Sequence, residues 1–189
     1  MAARAHSTDP RAERVRCQLQ DAALQLAGEG PVDGLTVGAI ARRASVSRQA
    51  FYQHFDDRDD AVGAAVAAAF ATATAGIGAD PADHILALFD FVARHRAIYR
   101  NIVPSTVSSR AASAFRAELA PACREIAAQA TTSTAVTTDQ IQRFLVGGFM
   151  EVLRSWMEDP NPGDLHVSGR QALDTVAALL GIRRAVAPA

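Results

Sequence analysis

Apolar residues in this chain recur at three- and four-residue spacing almost from end to end, and that period most restricts its fold. Val15, Leu19, Ala22, Ala23 and Leu26 share one helical face. Ile85, Leu88, Phe89 and Val92 share another, as do Ile141, Phe144, Leu145, Phe149, Val152 and Trp156. No convincing run alternates with a period of two, and hairpin turn signals are few. The chain is expected to be all-α, with an N-terminal three-helix head, a larger C-terminal helical domain and about nine helices in total.

Capping residues divide this pattern into elements. Asp9-Pro10 and Asp80-Pro81 each put a carboxylate before a proline at the first helical position. The first helix should stop near Gly28–Gly30, ahead of a short loop at residues 31–34. Thr36 caps a second helix from Val37 to about Ala44, and Ser45-Val46-Ser47 leaves room only for a tight turn. Ser47 caps a third helix, Arg48 to His54. Asp57 and Asp60 resemble a capping box for a fourth, which runs to about Ala75 and ends at Gly76–Gly78. After the helix opened by Asp80-Pro81 come a short helix from Ala97 to Val103 and a longer one from about Val107 to Gln129, which Pro121 is expected to kink or break. Residues 130–138 read as a threonine-rich loop. Thr137 and Gln140 box the start of a strong helix, Asp139 to Glu158, which the Asp159–Gly163 segment ends. A last helix, about Leu165 to Leu180, should bury Ala172, Leu173, Val176, Leu179 and Leu180. A loose tail is expected after Gly181.

Composition narrows the function. The net charge is -1, so any contact with nucleic acid must come from a local arrangement of positive charge. All 19 cationic side chains are arginine, so each such contact uses a planar guanidinium. Cys17 and Cys123 are far apart, with no metal-ligand spacing around them, and read as reduced thiols. No apolar core of a signal peptide follows the first arginines, and the longest apolar run, Ala61–Ala75, is too weakly hydrophobic to span a bilayer. No membrane association and a cytoplasmic location are expected.

The stretch Leu35–Val62, LTVGAIARRASVSRQAFYQHFDDRDDAV, is the most informative. It reads as two short helices joined by a tight turn. Ala41 and Ala44 are small enough for close helix contact, Val46 plugs the turn, and Phe51 and Phe55 face the core. A third helix this short is not stable alone. Its outward face carries Ser47, Arg48, Gln49, Tyr52, Gln53 and His54, all able to donate hydrogen bonds. Arginine pairs bidentately with guanine and glutamine with adenine, so this face suits the major groove of DNA. Thr36 and Tyr52 can offer hydroxyls to phosphates, and the N-termini of the second and fourth helices offer amides.

This stretch resembles the TetR family of regulators. Thr36, Ile40-Ala41, Val46-Ser47, Phe51-Tyr52 and His54-Phe55 match the family pattern, and Arg58 stands where a lysine is usual. Ser45 replaces the usual turn glycine, and Ala61 a common leucine. The resemblance implies a homodimeric transcription regulator, a repressor released from its double-stranded operator by a small hydrophobic effector. It implies a DNA-binding domain at 1–56 and an effector-binding and dimerisation domain at 57–189. Thr36, Ser47, Arg48, Gln49, Tyr52, Gln53, His54 and Arg58 would then meet DNA. The four aspartates around Arg58 oppose phosphates, so affinity should be modest and salt-sensitive.

From Asp80 onward no catalytic arrangement is evident, and neither metal nor cofactor is expected. His84 and His95 lie three helical turns apart, too far for one metal ion. The resemblance places an effector pocket among the middle helices, with Phe89, His95, Tyr99, Ile102, Phe115, Phe144 and Met150 as linings. Core filling is the other reading of each. Gly147-Gly148 in mid-helix costs helix propensity, which suits close approach of another helix within or between subunits. With Val152, Trp156, Ala172, Val176 and Leu180, these glycines make the expected dimer surface. The rival classes are a helical protein-interaction regulator without DNA and a small enzyme.

Overall fold

The computed structural model describes residues 9–130 and 136–182. Among them are nine α-helices, a one-turn 3-10 helix at Val32–Gly34 and no strand. The helices are α1 (Pro10–Glu29), α2 (Val37–Arg43), α3 (Arg48–His54), α4 (Arg58–Thr74), α5 (Pro81–Arg94), α6 (Arg96–Ile102), α7 (Ser108–Ala128), α8 (Thr138–Glu158) and α9 (Leu165–Leu180). Most of the expected loop at 130–138 and the tail beyond Ile182 lie outside the described residues.

The caps lie where the sequence puts them. Asp9, Thr36, Ser47 and Asp80 each accept a hydrogen bond from the first turn of the helix they precede. Thr137 and Gln140 form both halves of a capping box on α8. At α4 the box is looser: Asp57 accepts from the Asp60 amide at 2.7 Å, whereas the Asp60 carboxylate reaches past Asp57 to the Asp56 amide at 3.2 Å.

Pro121 neither breaks nor ends α7, contrary to the sequence expectation. Leu119, Ala122, Cys123, Ile126 and Ala127 are buried along one side of the helix, while Pro121 and Ala117 are exposed. The carbonyl of Ala117, which loses its amide donor to the proline, is on the side that water can reach.

The chain divides into two compact units. The first comprises Met1–Ala69 and Ala97–Ala112. Here α1 packs on both α2 and α3, over a core of Leu19, Ala23, Val32, Ile40, Phe51, Phe55, Val62 and Val66. Asn101 donates to the Ala27 carbonyl at 2.8 Å, tying α6 to the end of α1. The second unit comprises Phe70–Arg96 and Ser113–Ala189. Its centre is a run of rings: Phe70 meets Phe115 at 5.2 Å, Phe115 meets Phe89 at 6.1 Å, and Phe89 meets Phe149 at 6.1 Å. Gly169 lets α9 lie close on α5, since a Cβ there would come within 2.9 Å of Phe89.

Two expected core positions face outward. Phe144 is 72% and Leu179 65% exposed. Both follow the helical period, but the stripe of α8 and α9 is wider than the surface the rest of the unit covers.

The turn between α2 and α3 closes in a left-handed residue. Ser45 has φ 57°, its amide bonds to the Arg42 carbonyl, and the Val46 amide bonds to that of Ala41 at 2.9 Å. This is the Schellman arrangement, which glycine accommodates without strain. The chain uses glycine for the same turn after α9, where Gly181 has φ 67°. Replacing Ser45 by Gly should therefore stabilise the first unit, by about 0.5–1 kcal/mol after allowing for glycine's extra chain entropy. Replacement by Val should destabilise it. Chemical denaturation of both variants against the parent checks this, and a less stable S45G would contradict it.

Candidate nucleic-acid interface

Seven residues do not make a stable helix in water, so α3 exists because of what it buries. Phe51 is fully buried and Phe55 nearly so, each contributing about 1.5–3 kcal/mol of apolar transfer. With those two sides turned inward, Ser47, Arg48, Gln49, Tyr52 and Gln53 are left exposed, and His54 half-buried. Tyr52 is 51% exposed and stands edge-on to Phe51 at 5.5 Å, which orients its ring. The face expected from the sequence is thus assembled on one side of one helix.

The two capping hydroxyls beside it remain useful. Thr36 accepts from the Ala39 amide at 3.1 Å and Ser47 from the Ala50 amide at 3.0 Å. Each uses an oxygen lone pair, so each keeps a proton to donate. Among the described residues, Arg48 makes no hydrogen bond or ion pair, unlike Arg43, which Glu29 holds with two hydrogen bonds of 2.7 and 2.8 Å. Burial, then the nearby Arg16 charge, lowers the His54 pKa below its ordinary value. His54 therefore offers hydrogen bonds rather than a cation.

Arg58 departs from its expected role. Its guanidinium turns inward: Nη1 donates to the Val32 carbonyl at 2.9 Å and the Asp33 carbonyl at 2.8 Å, and Nε donates to Asp59 at 2.6 Å. A residue expected to reach a phosphate is occupied in holding the 3-10 turn against the start of α4. Thr106 donates to Asp59, and Arg110 pairs with Asp60 at 3.2 Å. Burial pushes the Asp59 carboxyl up, but the hydrogen bonds from Thr106 and Arg58 outweigh it and leave it below the usual range. Two of the four aspartates expected to repel DNA are therefore already compensated. No local spacing signals these partners, which lie 25 to 50 residues away.

The expected effector linings are divided between the two units. Phe89 and Phe115 fill the second unit's core against each other. His95 stacks on Phe91 at 4.2 Å and bonds to its carbonyl. Met150 is half-buried, and Phe144 faces outward. Tyr99 and Ile102 are buried in the first unit, not the second. The expected dimer residues behave differently. A Cβ at Gly147 or Gly148 would meet nothing within 4 Å, so neither glycine serves close packing inside the subunit. Val152, Trp156 and Ala172 line an open groove of about 490 Å³ between α8 and α9. Val176 borders a smaller hollow of about 180 Å³ with Asp80, Ile126 and Leu173, and Leu180 is half-buried.

A family model described as "Bacterial regulatory proteins, tetR family" matches residues 19–65. Over residues 19–65 the chain is similar to the N-terminal domain of that family. The match spans α1 from Leu19 through the first turns of α4, including the turn at Ser45 and all of α3. Solved structures extend the likeness of fold to most of the chain. The dihydroxyacetone kinase operon activator DhaS superposes with a TM-score of 0.71 at 14% identity, covering 90% of this chain and 98% of that one. A TetR transcriptional regulator from Streptococcus agalactiae 2603V gives 0.63 at 15% identity, over 88% and 95% of the two chains. Another from Rhodococcus sp. RHA1 gives 0.59 at 17%, over 90% and 98%. No curated protein matches in sequence. The chain thus has the fold of TetR-family transcription regulators, and no described helix is long and apolar enough to cross a membrane.

In this TetR-type head, Arg58→Ala should act on stability. It strips two loop carbonyls and Asp59 of their donor, which costs about 1–3 kcal/mol. Thermal unfolding should shift down accordingly, while the folded protein keeps the salt dependence of any DNA binding. A reduced salt slope with unchanged stability would restore Arg58 to the phosphate contacts.

Proposed function

We propose that this chain is a homodimeric, DNA-binding transcription regulator that represses by occupying its operator and is released by a small apolar effector. The observation that carries the reading is the outer face of α3, where Arg48, Gln49, Tyr52 and Gln53 stand exposed and the Arg48 guanidinium has no hydrogen-bond or ion-pair partner among the described residues, on a head similar to that of the TetR family. Arg48 and Gln49 would read base edges, and Thr36, Ser47 and Tyr52 would hold phosphates. Gln53 and His54 would extend the same contact surface. Functionally, residues 1–56 would carry DNA contact and 57–189 effector binding and dimerisation.

A head of this size makes few contacts, so a second copy multiplies affinity through effective concentration. Two recognition helices reach one face of a duplex when set about 34–36 Å apart. The apolar surface left open on α8 and α9, Phe144 and Leu179 with the uncovered glycines, supports a second subunit there. Repression is the simplest consequence, because occupancy alone blocks a promoter and needs no further surface. An effector would favour a head spacing that no longer fits successive grooves, with α4 as the carrier of the change. Such a regulator works where the chromosome is, in the cytoplasm.

Arg48→Ala with Tyr52→Ala should weaken retention of duplex DNA from the gene's own upstream region by at least about tenfold. Circular dichroism and thermal unfolding should stay unchanged. Equal retention by the double variant would refute the DNA-reading face. Separately, Phe144→Arg should turn the dimer into a monomer in light scattering, and a dimer that persists would place the subunit contact elsewhere.

A further inference from the structure

Helix α2 has only seven residues, and its second position is a glycine. Glycine is a poor helix former, by about 1 kcal/mol against alanine, and a helix this short has little to spare. Gly38 has an ordinary helical backbone, so no positive φ requires it. What a Cβ at Gly38 would strike is the guanidinium of Arg48: Cζ at 3.1 Å, Nε at 3.0 Å and, closest of all, Nη2. Gly38 is buried in the first turn of α2, and the atoms nearest to its missing Cβ all belong to the Arg48 side chain.

We propose that Gly38 is a positioning residue for DNA recognition: its missing side chain provides the shelf on which the Arg48 guanidinium rests, and so sets the direction in which Arg48 meets a base pair. This rests on the DNA-binding reading of α3. The guanidinium turns its Nη2–Nε edge toward the glycine, with Cζ behind that edge, and Nη1 is its atom farthest from the shelf. Packing on one side limits the rotamers of an otherwise free side chain. An arginine held this way loses less entropy on pairing with guanine than one that sweeps through solvent. Bidentate pairing is directional, so a changed resting position should change the preferred base.

The test compares the parent, Gly38→Ala, Arg48→Ala and the double variant. In the free protein, heteronuclear NOE on the Arg48 Nε–H should show an ordered side chain in the parent and a mobile one in Gly38→Ala. Equal mobility in both overturns the shelf, whatever DNA does. Each protein is then used to select from a pool of randomised 30-base-pair duplexes. The parent should enrich a motif. Gly38→Ala should lose about tenfold in preference at one base pair per half-site while its thermal midpoint stays equal or rises by a few degrees. In the Arg48→Ala background, Gly38→Ala should change nothing further. An identical motif and affinity for Gly38→Ala overturns the inference alone, whereas failure of the parent to enrich any duplex overturns the DNA-binding reading beneath it.

Discussion

The burial of Phe51 and Phe55 is the contact on which the exposed face of α3 depends. Four residues apart, one within the seven-residue helix and one capping its end, they consume its inward side and lock it onto α1 and α2. Without that burial α3 has no reason to be helical, and the arginine and glutamines that follow Ser47 have no common direction. With it, Arg48, Gln49, Tyr52 and Gln53 are turned outward by geometry rather than by their own preference. The same contact fixes the rotation of α3 about its axis, which decides which side chains a groove would meet.

Charge is arranged around this helix with an economy visible only in the assembled head. An overall charge of -1 and four aspartates near the start of α4 would discourage a polyanion. Arg58, Thr106 and Arg110 answer two of those acids inside the protein, and Glu29 holds Arg43. Arg48, on the outer face, is left without such a partner among the described residues. A chain with little net charge can thus still turn a guanidinium that no acid holds outward on α3, where directionality matters more than total attraction.

The second unit follows a different logic. Its rings close on one another from Phe70 to Phe149, and two of the side chains expected to surround an effector, Phe89 and Phe115, are spent on that packing. Its unfinished surface is instead the outer side of α8 and α9. Gly147 and Gly148 were open to two readings from sequence, close approach within the subunit or between subunits. The empty space above them removes the first.

Helix number, most boundaries, the caps and the core face of α3 were legible in the sequence. They depend on local physics: a hydroxyl or carboxylate reaching an amide two or three residues on, and apolar residues repeating every three or four. Pro121 was misread because a local rule forbids it, whereas burial on one side and water on the other accept it. Arg58, Gly38, Phe144 and Gly169 could be understood only in three dimensions. The carbonyls that bind Arg58 come from a turn some 25 residues earlier, and Gly38 has its meaning from a guanidinium on the next helix. Periodicity says that a face is apolar but not how much of it the rest of the molecule will cover. Sequence alone determined the elements and the side of α3 turned to solvent. Tertiary structure decided that Arg58 is held inside the protein while Arg48 is not, which phenylalanine is left uncovered and which glycine makes room, because each follows from what distant segments bring into contact.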